Sequence, residues 1–498
     1  MEFDKDLRSI QEVRNLVEKA KAAQKEYANF NQAQVDKIVH AITVACEAHL
    51  EPLAKMAVEE TGFGIWQDKV LKNVLGSTLT YNFIKDMKTI GILNEDPVRK
   101  VWEIGVPKGV VAALIPSTNP TSTAMYKTLI SLKAGNAIIL SPHPNAKNCI
   151  MEAFKIMNQA AIAAGAPAGL IQCVSIPSPQ GTDALLKNPN VGIILATGGE
   201  AMVKAAYSSG NPALGVGPGN GPSFIEKSAD IKMAVKHIMD SKTFDNGTIC
   251  ASEQSIVTER CIKEQVISEV KKQGGYFMSA EESEKVGRFI MRANGTMNPK
   301  IVGKSAKVIA DMAGITIPEG TRVLLSFQTT VGKDNPYSRE KLCPILAFYT
   351  AENWEEACEL SMKILYNEGA GHTMTIHSED MSVIRAFALE KPVSRLLVNT
   401  PGALGGVGAT TKLAPALTLG CGAVGGSATS DNVTPLHLIN IRRVAFGKRE
   451  VEDLRAMSPC GSAPAASACK SCDKRAASGL SRQEIEAITR AIIARLGK

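Results

Sequence analysis

Apolar residues recur every three or four positions along residues 4–50, beginning with Leu7 and Ile10. This spacing places their side chains on one face of a helix. We therefore predict helices over this stretch, with further helix over residues 51–90 around a glycine turn at 61–64. We expect the apolar faces to pack against the body of the protein, and a terminal helix that binds a partner is the alternative.

The pattern changes at residue 110, where short apolar runs begin to alternate with helical stretches. The runs have the length and composition of buried strands, and they cover residues 110–115, 137–140, 170–176, 191–195 and 213–216. Helical patterns separate them at residues 121–136, 147–164, 183–186 and 200–209. This alternation predicts a parallel sheet covered by helices on both faces.

Parallel sheets of this type bind ligands beyond the carboxyl ends of their strands. The candidate ligand-binding residues therefore lie after three predicted strands: Pro116, Ser117, Thr118, Ser141, Pro142, His143, Thr197, Gly198 and Gly199. Two glycine-rich stretches, 215–221 and 402–412, do not fit a dinucleotide fingerprint, and the second does not fit a P-loop. We interpret both as tight turns that line a site, which adds Gly217 to the candidates.

A second, less regular alternation begins near residue 223 and predicts a second α/β domain. Its predicted strands cover residues 223–226, 255–258, 322–326, 346–349, 373–377 and 395–399. Residues 435–446 end in an apolar, strand-like stretch that suits pairing with another subunit.

Composition restricts the class of protein. A chain of 498 residues exceeds one hydrophobic core, so about two or three domains are expected. Its 11 cysteines are odd in number and scattered, which favours reduced thiols over a disulfide framework. No apolar run reaches the about 18 residues of a membrane span, and the first residues lack a secretion signal, so we expect a cytoplasmic protein without membrane contact. The net charge of +7 comes without a basic stripe interleaved with aromatics, so nucleic-acid binding is not predicted.

One cysteine occupies a position suited to a nucleophile. Cys250 follows a polar turn and precedes the strand-like residues 255–258. A partly ionised thiol is a strong nucleophile, and a turn presents backbone N–H groups that can bind an oxyanion. A lone cysteine is nevertheless more often a small buried hydrophobic residue. The residues around it decide between these two interpretations.

The segment 244–254, Phe-Asp-Asn-Gly-Thr-Ile-Cys-Ala-Ser-Glu-Gln, resembles the nucleophile segment of CoA-acylating aldehyde dehydrogenases. The resemblance extends from about residue 4 to residue 447. It implies an α/β fold of the aldehyde dehydrogenase type, with a Rossmann-like cofactor domain, a catalytic domain and oligomerisation strands. It also implies that the Cys250 thiolate is the catalytic nucleophile.

Three further motifs carry the resemblance and imply roles. The loop after the first sheet strand looks like the one whose asparagine donates to the oxyanion, so Asn119 takes that role with the backbone N–H of the nucleophile. Glu340 and Pro344 look like the superfamily's Glu-x-x-x-Pro segment, whose glutamate holds the nicotinamide ribose. His372 lies in a segment typical of the CoA-acylating branch and is a candidate for assisting catalysis, with a structural histidine as the alternative. Without the resemblance, Asn119 would be interpreted as a turn residue and Glu340 as a surface charge.

One departure from the wider superfamily is informative. Hydrolytic members have Glu-Leu-Gly-Gly-Lys where this chain has Val-Gly-Pro-Gly-Asn at 216–220, and that glutamate activates the deacylating water. Val216 cannot act as a base, so an acyl-enzyme would survive until another thiol accepts the acyl group. The resemblance therefore implies CoA as the acceptor and NAD as the oxidant, with NADP left open. The implied reaction is the reversible oxidation of propionaldehyde or acetaldehyde to acyl-CoA.

The composition shifts at Met457 to a linker rich in Ser, Ala and Pro, and an amphipathic helix is predicted beyond it. Ser481 and Glu484 can form a capping box, and Ile485 begins an apolar face. The helix resembles the encapsulation peptides of enzymes packed into bacterial microcompartments, which implies a shell protein as partner and the microcompartment lumen as location. A tail that folds back or frays is the alternative. The Cys-x-x-Cys pair at 469–472 lacks the second half of a zinc site, so no metal is predicted.

The predicted organisation has five parts. They are 1–222, N-terminal helices with the dinucleotide- and CoA-binding domain; 223–415, the catalytic domain; 416–447, a return and oligomerisation segment; 448–479, a flexible linker; and 480–498, the C-terminal helix. A homo-oligomer, either a dimer or a tetramer, is expected. One rival hypothesis is an enzyme of the same fold that transfers the acyl group to water or phosphate, which would need a base or an anion site that we do not find. The other is an inactive scaffold that docks to a shell, which an intact Cys250, Asn119 and Glu340 disfavour.

Overall fold

The computed structural model describes residues 4–457. The predicted C-terminal helix at 480–498 and the linker beyond residue 457 lie outside these residues. The described chain forms two compact units, a large one of residues 4–93 and 104–442 and a small one of residues 94–103 and 443–457. The predicted strands between residues 110 and 399 all fall in the large unit.

Helices form the N-terminal part of the large unit, as predicted. They are α1 Lys5–Tyr27, α2 Gln32–Glu47, α3 Leu50–Thr61, α4 Trp66–Val74 and α5 Thr80–Ile84, with a π-helical turn at Leu75–Leu79. Asn31 and Gln34 form a capping box that starts α2. Gly62 ends α3 with φ of 66°, a left-handed conformation that glycine adopts without steric cost. The Tyr27 hydroxyl donates to the Leu132 carbonyl over 3.1 Å, so α1 packs on the body of the unit.

Two strands follow that the sequence pattern did not predict, β1 Gly91–Asp96 and β2 Val101–Pro107. β1 has no fully buried residue and β2 has one, so neither strand requires a run of apolar residues. A strand without a buried face gives little periodic signal.

The first parallel sheet is built from alternating strands and helices, and the prediction for this region is confirmed. Its elements are β3 Val110–Ile115, α6 Pro120–Lys133, β4 Ala137–Pro142, α7 Lys147–Ala163, β5 Ile171–Cys173, α8 Pro179–Leu186, β6 Val191–Thr197, α9 Glu200–Tyr207 and β7 Ala213–Val216. The strand order is β5-β4-β3-β6-β7, and all pairs are parallel. The order reverses between β3 and β6, and such a switch point leaves a crevice for ligands at the carboxyl ends of the strands.

A second parallel sheet of seven strands completes the large unit. Its elements are β8 Gly221–Ile225, α10 Ile231–Thr243, β9 Glu253–Glu259, α11 Lys263–Lys272, β10 Gly275–Phe277, α12 Ala280–Ile290, α13 Ala306–Ala313, β11 Val323–Phe327, β12 Ile345–Ala351, α14 Trp354–Asn367, β13 Gly371–His377, α15 Met381–Glu390, β14 Val393–Val398 and α16 Gly402–Gly406. The order is β10-β11-β12-β9-β8-β13-β14. All six predicted strands of this domain are present, and β10 is an additional three-residue strand.

A three-stranded sheet has the order β1-β2-β15, where β15 is Ile439–Ala445, and the small unit holds its residues 94–96, 101–103 and 443–445. Within this unit Trp102 packs edge-on against Phe446, with ring centroids 5.2 Å apart. Helix α17, Val451–Ala456, occupies the first part of the segment predicted as a flexible linker. The segment predicted as a linker thus begins with a short helix, which a capping box at Glu450 starts. None of the helices in the described chain combines the length and hydropathy that a membrane crossing demands.

Candidate active site

Cys250 lies in the turn that joins α10 to β9. Asp245 and Asn246 in this turn both have left-handed backbones, with φ of 50° and 52°, so the chain reverses tightly before the nucleophile. A Cβ atom added to Gly219 would lie 1.9 Å from the carbonyl oxygen of Cys250. Only glycine therefore allows the segment after β7 to pass against the cysteine backbone.

His372, at the start of β13, lies next to Cys250. Its Nε2 atom is 3.2 Å from the Sγ atom of Cys250, and its Nδ1 atom is 2.9 Å from Oγ1 of Thr373. Arg395 supports this arrangement, since its Nε donates to Thr373 over 3.1 Å and its Nη2 donates to the His372 carbonyl over 3.0 Å. When Nδ1 carries the imidazole hydrogen and donates to Thr373, Nε2 can accept a proton from the thiol.

The resting charges of this pair follow from burial. Burial raises the pKa of the Cys250 thiol to about 12, and the neighbouring Glu340 adds to the effect. Burial lowers the pKa of His372 to about 3, with a further contribution from the positive charge of Arg395. The pair is therefore a thiol and a neutral imidazole near neutral pH. Forming the thiolate requires transfer of the proton to a neighbouring base, and His372 is in position for it.

Asn119 lies at the N-terminal end of α6, in the loop after β3. Its side-chain oxygen accepts a hydrogen bond from Nζ of the buried Lys72 over 2.7 Å. The same Nζ donates to the carbonyl of Thr248 over 3.2 Å, two residues before Cys250. Lys72 thus ties the Asn119 loop to the turn that carries the cysteine.

Glu340 joins the same cluster from the loop before β12. Its carboxylate accepts the N–H of Gly219 over 2.8 Å, and its own N–H donates to Glu368 over 2.6 Å. Burial raises the pKa of Glu340 to about 8. The carbonyl of Pro344, the second member of this motif, accepts the N–H of Leu324 over 2.9 Å.

The other predicted binding residues lie at the carboxyl edge of the first sheet. Pro116, Ser117 and Thr118 follow β3, and Thr197, Gly198 and Gly199 close β6 or follow it, so the two groups flank the switch point. Ser141 and Pro142 belong to β4 itself and are buried, while His143 is exposed beside the end of β3.

Two of the predicted glycines, Gly199 and Gly217, have open space beside their backbone. A Cβ atom added to Gly199 or Gly217 would meet no atom within 4 Å, so a ligand can approach the backbone there. Val216, which precedes Gly217, is buried and apolar at the end of β7. Among residues 4–457 no group of three or more His, Cys, Asp or Glu side chains could hold a metal ion.

Four residues hold this cluster together, Lys72, Asp245, Thr373 and Arg395, and the sequence analysis assigned a role to none of them. All four are buried, and they contact partners far away in the chain. A buried lysine or arginine has the same sequence signature as a solvated one, so no pattern in the chain distinguishes them.

Comparisons with known proteins show the family of the chain. Residues 7–404 match the aldehyde dehydrogenase family. The chain belongs to this family. The predicted α/β fold of the aldehyde dehydrogenase type is thereby confirmed.

The chain is similar to the bifunctional aldehyde-alcohol dehydrogenase AdhE of Escherichia coli, with 47% identity over 442 residues that cover 88% of this chain and 50% of the relative. It thus spans about half the length of the first curated relatives it matches. A solved acetylating aldehyde dehydrogenase from Geobacillus thermoglucosidasius is 55% identical with a TM-score of 0.88, covering 90% of this chain and 99% of the other.

Two solved propionaldehyde dehydrogenases are less similar to the chain. One belongs to a fucose-utilisation microcompartment of Clostridium phytofermentans, and the other, from Rhodopseudomonas palustris, has bound CoA and an acylated cysteine. Each is 28% identical with a TM-score of 0.80 and covers 87% of this chain and 97% of the other.

Proposed function

We propose that this chain is an NAD-dependent, CoA-acylating dehydrogenase that converts a short-chain aldehyde to acyl-CoA through a thioester on Cys250. The observation that carries the proposal is the cysteine thiol with a neutral imidazole 3.2 Å away. The similarity to an acetylating enzyme and to one with bound CoA and an acylated cysteine supports the same activity.

In the first step the sulfur of Cys250 attacks the carbonyl carbon of the aldehyde while His372 Nε2 takes the thiol proton. A C–S bond forms, and the carbonyl oxygen becomes an oxyanion. The side-chain N–H of Asn119 and the backbone N–H of Cys250 donate to this oxyanion. Such donors act most strongly in a site from which water is excluded.

In the second step the carbon attached to Cys250 loses a hydride and becomes a thioester. Bound NAD would supply the hydride acceptor. Glu340 is suited to accept hydrogen bonds from the ribose hydroxyls, and the loops after β3 and β6 are suited to hold the phosphates, since backbone N–H groups and glycines line the switch point. NADP is not distinguished from NAD by these residues.

In the third step His372, which has released the first proton to solvent, takes the proton of the CoA thiol. The CoA sulfur then forms a bond to the thioester carbon, the bond from that carbon to Cys250 breaks, and acyl-CoA leaves the Cys250 thiolate behind. His372 is placed to return a proton to that sulfur. Val216 offers no carboxylate for activating water, so transfer to a thiol is favoured over hydrolysis. We expect CoA and the dinucleotide to use the same crevice in turn.

The test is NADH formation from propionaldehyde and from acetaldehyde, with and without CoA, by the wild type and Cys250→Ala. Cys261→Ala is the matched control, because Cys261 is exposed and lies on the opposite end of β9. We expect turnover that needs both CoA and Cys250. Steady NADH formation without CoA would mean that water is the acceptor, and activation by phosphate would favour the phosphate-dependent alternative.

We further propose that residues 480–498, predicted from the sequence as an amphipathic helix, dock to a microcompartment shell protein and that residues 435–446 help to form a homo-oligomer. The support is the amphipathic pattern of the tail and the similarity to an enzyme of a microcompartment. Deleting residues 480–498 should abolish co-sedimentation with assembled shells while leaving NADH formation unchanged. Light scattering after size exclusion would give the subunit number, and a monomer would contradict the oligomer.

A further inference from the structure

We infer that Lys72 is a positioning residue that fixes the orientation of the Asn119 amide and couples it to the Cys250 turn. This inference rests on the proposed role of Asn119 as an oxyanion donor. It concerns how the donor is held, and it assigns a role to a lysine in α4, 178 residues before the nucleophile.

Lys72 is 1% exposed, and its ammonium group is surrounded by acceptors from two segments, the Asn119 loop and the turn before Cys250. Nζ donates to Oδ1 of Asn119 over 2.7 Å, to Oγ1 of Thr248 over 3.0 Å and to the carboxylate of Asp245. A fully buried ammonium is costly unless acceptors surround it, and here they come from both loops that carry the proposed catalytic groups.

The contact determines which way the amide of Asn119 faces. An ammonium has only donors, so the amide oxygen must point at Lys72 and the NH₂ group must point away from it. One hydrogen of this NH₂ group has an acceptor in Oγ1 of Thr118 at 3.2 Å. The other hydrogen is then available for the oxyanion. Donation from a cation to the amide oxygen also polarises the amide, which strengthens the hydrogen bond from its NH₂ group.

Asp245 keeps Lys72 in place from the side of the nucleophile. Its other carboxylate oxygen accepts the N–H of Ile65 over 2.8 Å, and Lys69 contacts the carboxylate over 2.9 Å. Burial by itself would raise the pKa of Asp245, but the two lysines outweigh this effect and hold it below its usual value. Asp245 is therefore an anion, and movement of the turn before Cys250 would be transmitted to Lys72 and Asn119.

Lys69 provides a matched control within the same helix. It is also buried and also contacts Asp245, but its Nζ donates to the backbone carbonyl of Thr118 over 3.0 Å and not to the Asn119 side chain. Replacing either lysine by methionine removes one buried charge beside Asp245. Only the Lys72 replacement releases the amide.

The experiment measures kcat and KM of CoA-dependent NADH formation in the full chain for Lys72→Met, Lys69→Met, Asn119→Ala and the Lys72→Met/Asn119→Ala double variant. Loss of an oxyanion donor lowers kcat by about 100-fold or more. We expect Lys72→Met to lower kcat by about 10- to 100-fold and to change KM for NAD by less than about threefold. The double variant should be no slower than Asn119→Ala alone, because the two residues act through one donor. Lys69→Met should retain most of the wild-type kcat and should have a melting temperature similar to that of Lys72→Met.

The inference would be overturned if the double variant lost kcat by the product of the two single losses. An unchanged kcat in Lys72→Met would overturn it as well. If Lys72→Met does not fold, Lys72→Arg replaces it, since the guanidinium keeps the charge beside Asp245 while its planar group cannot place a donor at the position of Nζ. We then expect about tenfold lower kcat at a near-native melting temperature, and an unchanged kcat would again overturn the inference. Full activity in both Asn119→Ala and Cys250→Ala would instead contradict the proposed function.

Discussion

The imidazole of His372 and the thiol of Cys250 form a neutral pair, with Nε2 and Sγ 3.2 Å apart. Burial is the main reason that neither group is charged at rest, since it raises the pKa of the thiol and lowers that of the imidazole. The nucleophile is thus created only when the proton moves between them. Replacing His372 therefore tests whether this histidine takes part in catalysis or has only a structural role.

Replacing His372 by alanine should lower kcat/KM by about 100-fold or more, because general acid–base catalysis contributes about that factor. It should also slow the alkylation of Cys250 by iodoacetamide at pH 7, since the thiol loses its proton acceptor. Labelling of the exposed Cys261 at the same pH is the internal control. An unchanged alkylation rate at Cys250 in a folded variant would favour the alternative that His372 is structural.

We expect Thr373 to affect kcat by holding the imidazole of His372 in its orientation. Its hydroxyl is the partner of His372 Nδ1 at 2.9 Å and of Arg395 Nε at 3.1 Å. Thr373→Val keeps the shape but removes this partner, so we expect about tenfold lower kcat together with a loss of about 1 kcal/mol of stability. Thr375→Val on the same strand breaks a 2.7 Å hydrogen bond to Ser223 and should lose comparable stability without the loss of kcat. Equal kcat in the two variants would mean that Thr373 does not orient the histidine.

Much of the fold could be predicted from the periodicity of the chain. Both parallel sheets produce apolar runs because their central strands are covered on both faces, as β3 and β4 are. The strands that escaped prediction lack this signal, since β1 is mostly exposed and β10 has three residues. The helix α17 was missed because its six residues are all exposed, which left only its cap as a signal.

The site was predictable only where a short motif carried it. Cys250, Asn119, Glu340 and His372 were identified from local segments, and the structure brings them into one cluster. Lys72 was not identified, because its significance depends on an acceptor 47 residues away and another 173 residues away. Pairing over such distances depends on the tertiary fold, and a single sequence does not record it.

The close approach of Gly219 to the nucleophile gives a third prediction. A Cβ atom at this position would lie 1.9 Å from the Cys250 carbonyl oxygen and 3.3 Å from His372 Nδ1. Gly219→Ala should therefore displace the pair and lower kcat by about 100-fold. Gly332→Ala is the control, because a Cβ atom there would meet nothing within 4 Å. Steady-state kinetics and melting curves of the two variants test this, and full activity in Gly219→Ala would show that the displacement is tolerated.

Glu340 should make the binding of NAD depend on pH. Burial raises its pKa from 4.5 to about 8, so the carboxyl group is mostly protonated at pH 7 and becomes a carboxylate as the pH rises through 8. A carboxylate accepts hydrogen bonds from ribose hydroxyls more strongly than the protonated acid does. We therefore expect the Kd for NAD, measured by fluorescence titration, to fall by about tenfold between about pH 6.5 and 9.

The Glu340→Gln variant is the matched control for this pH dependence, since its amide does not titrate and its Kd should be constant over the same range. The stability of the wild type should change in the opposite sense. Between the unfolded pKa of 4.5 and the folded pKa of about 8 the native state binds more protons than the unfolded state, so the contribution of Glu340 to unfolding free energy falls as pH rises. Urea unfolding at several pH values should show a smaller downward slope for Glu340→Gln than for the wild type. A wild-type Kd that does not vary with pH would show that Glu340 does not hold the dinucleotide as a carboxylate.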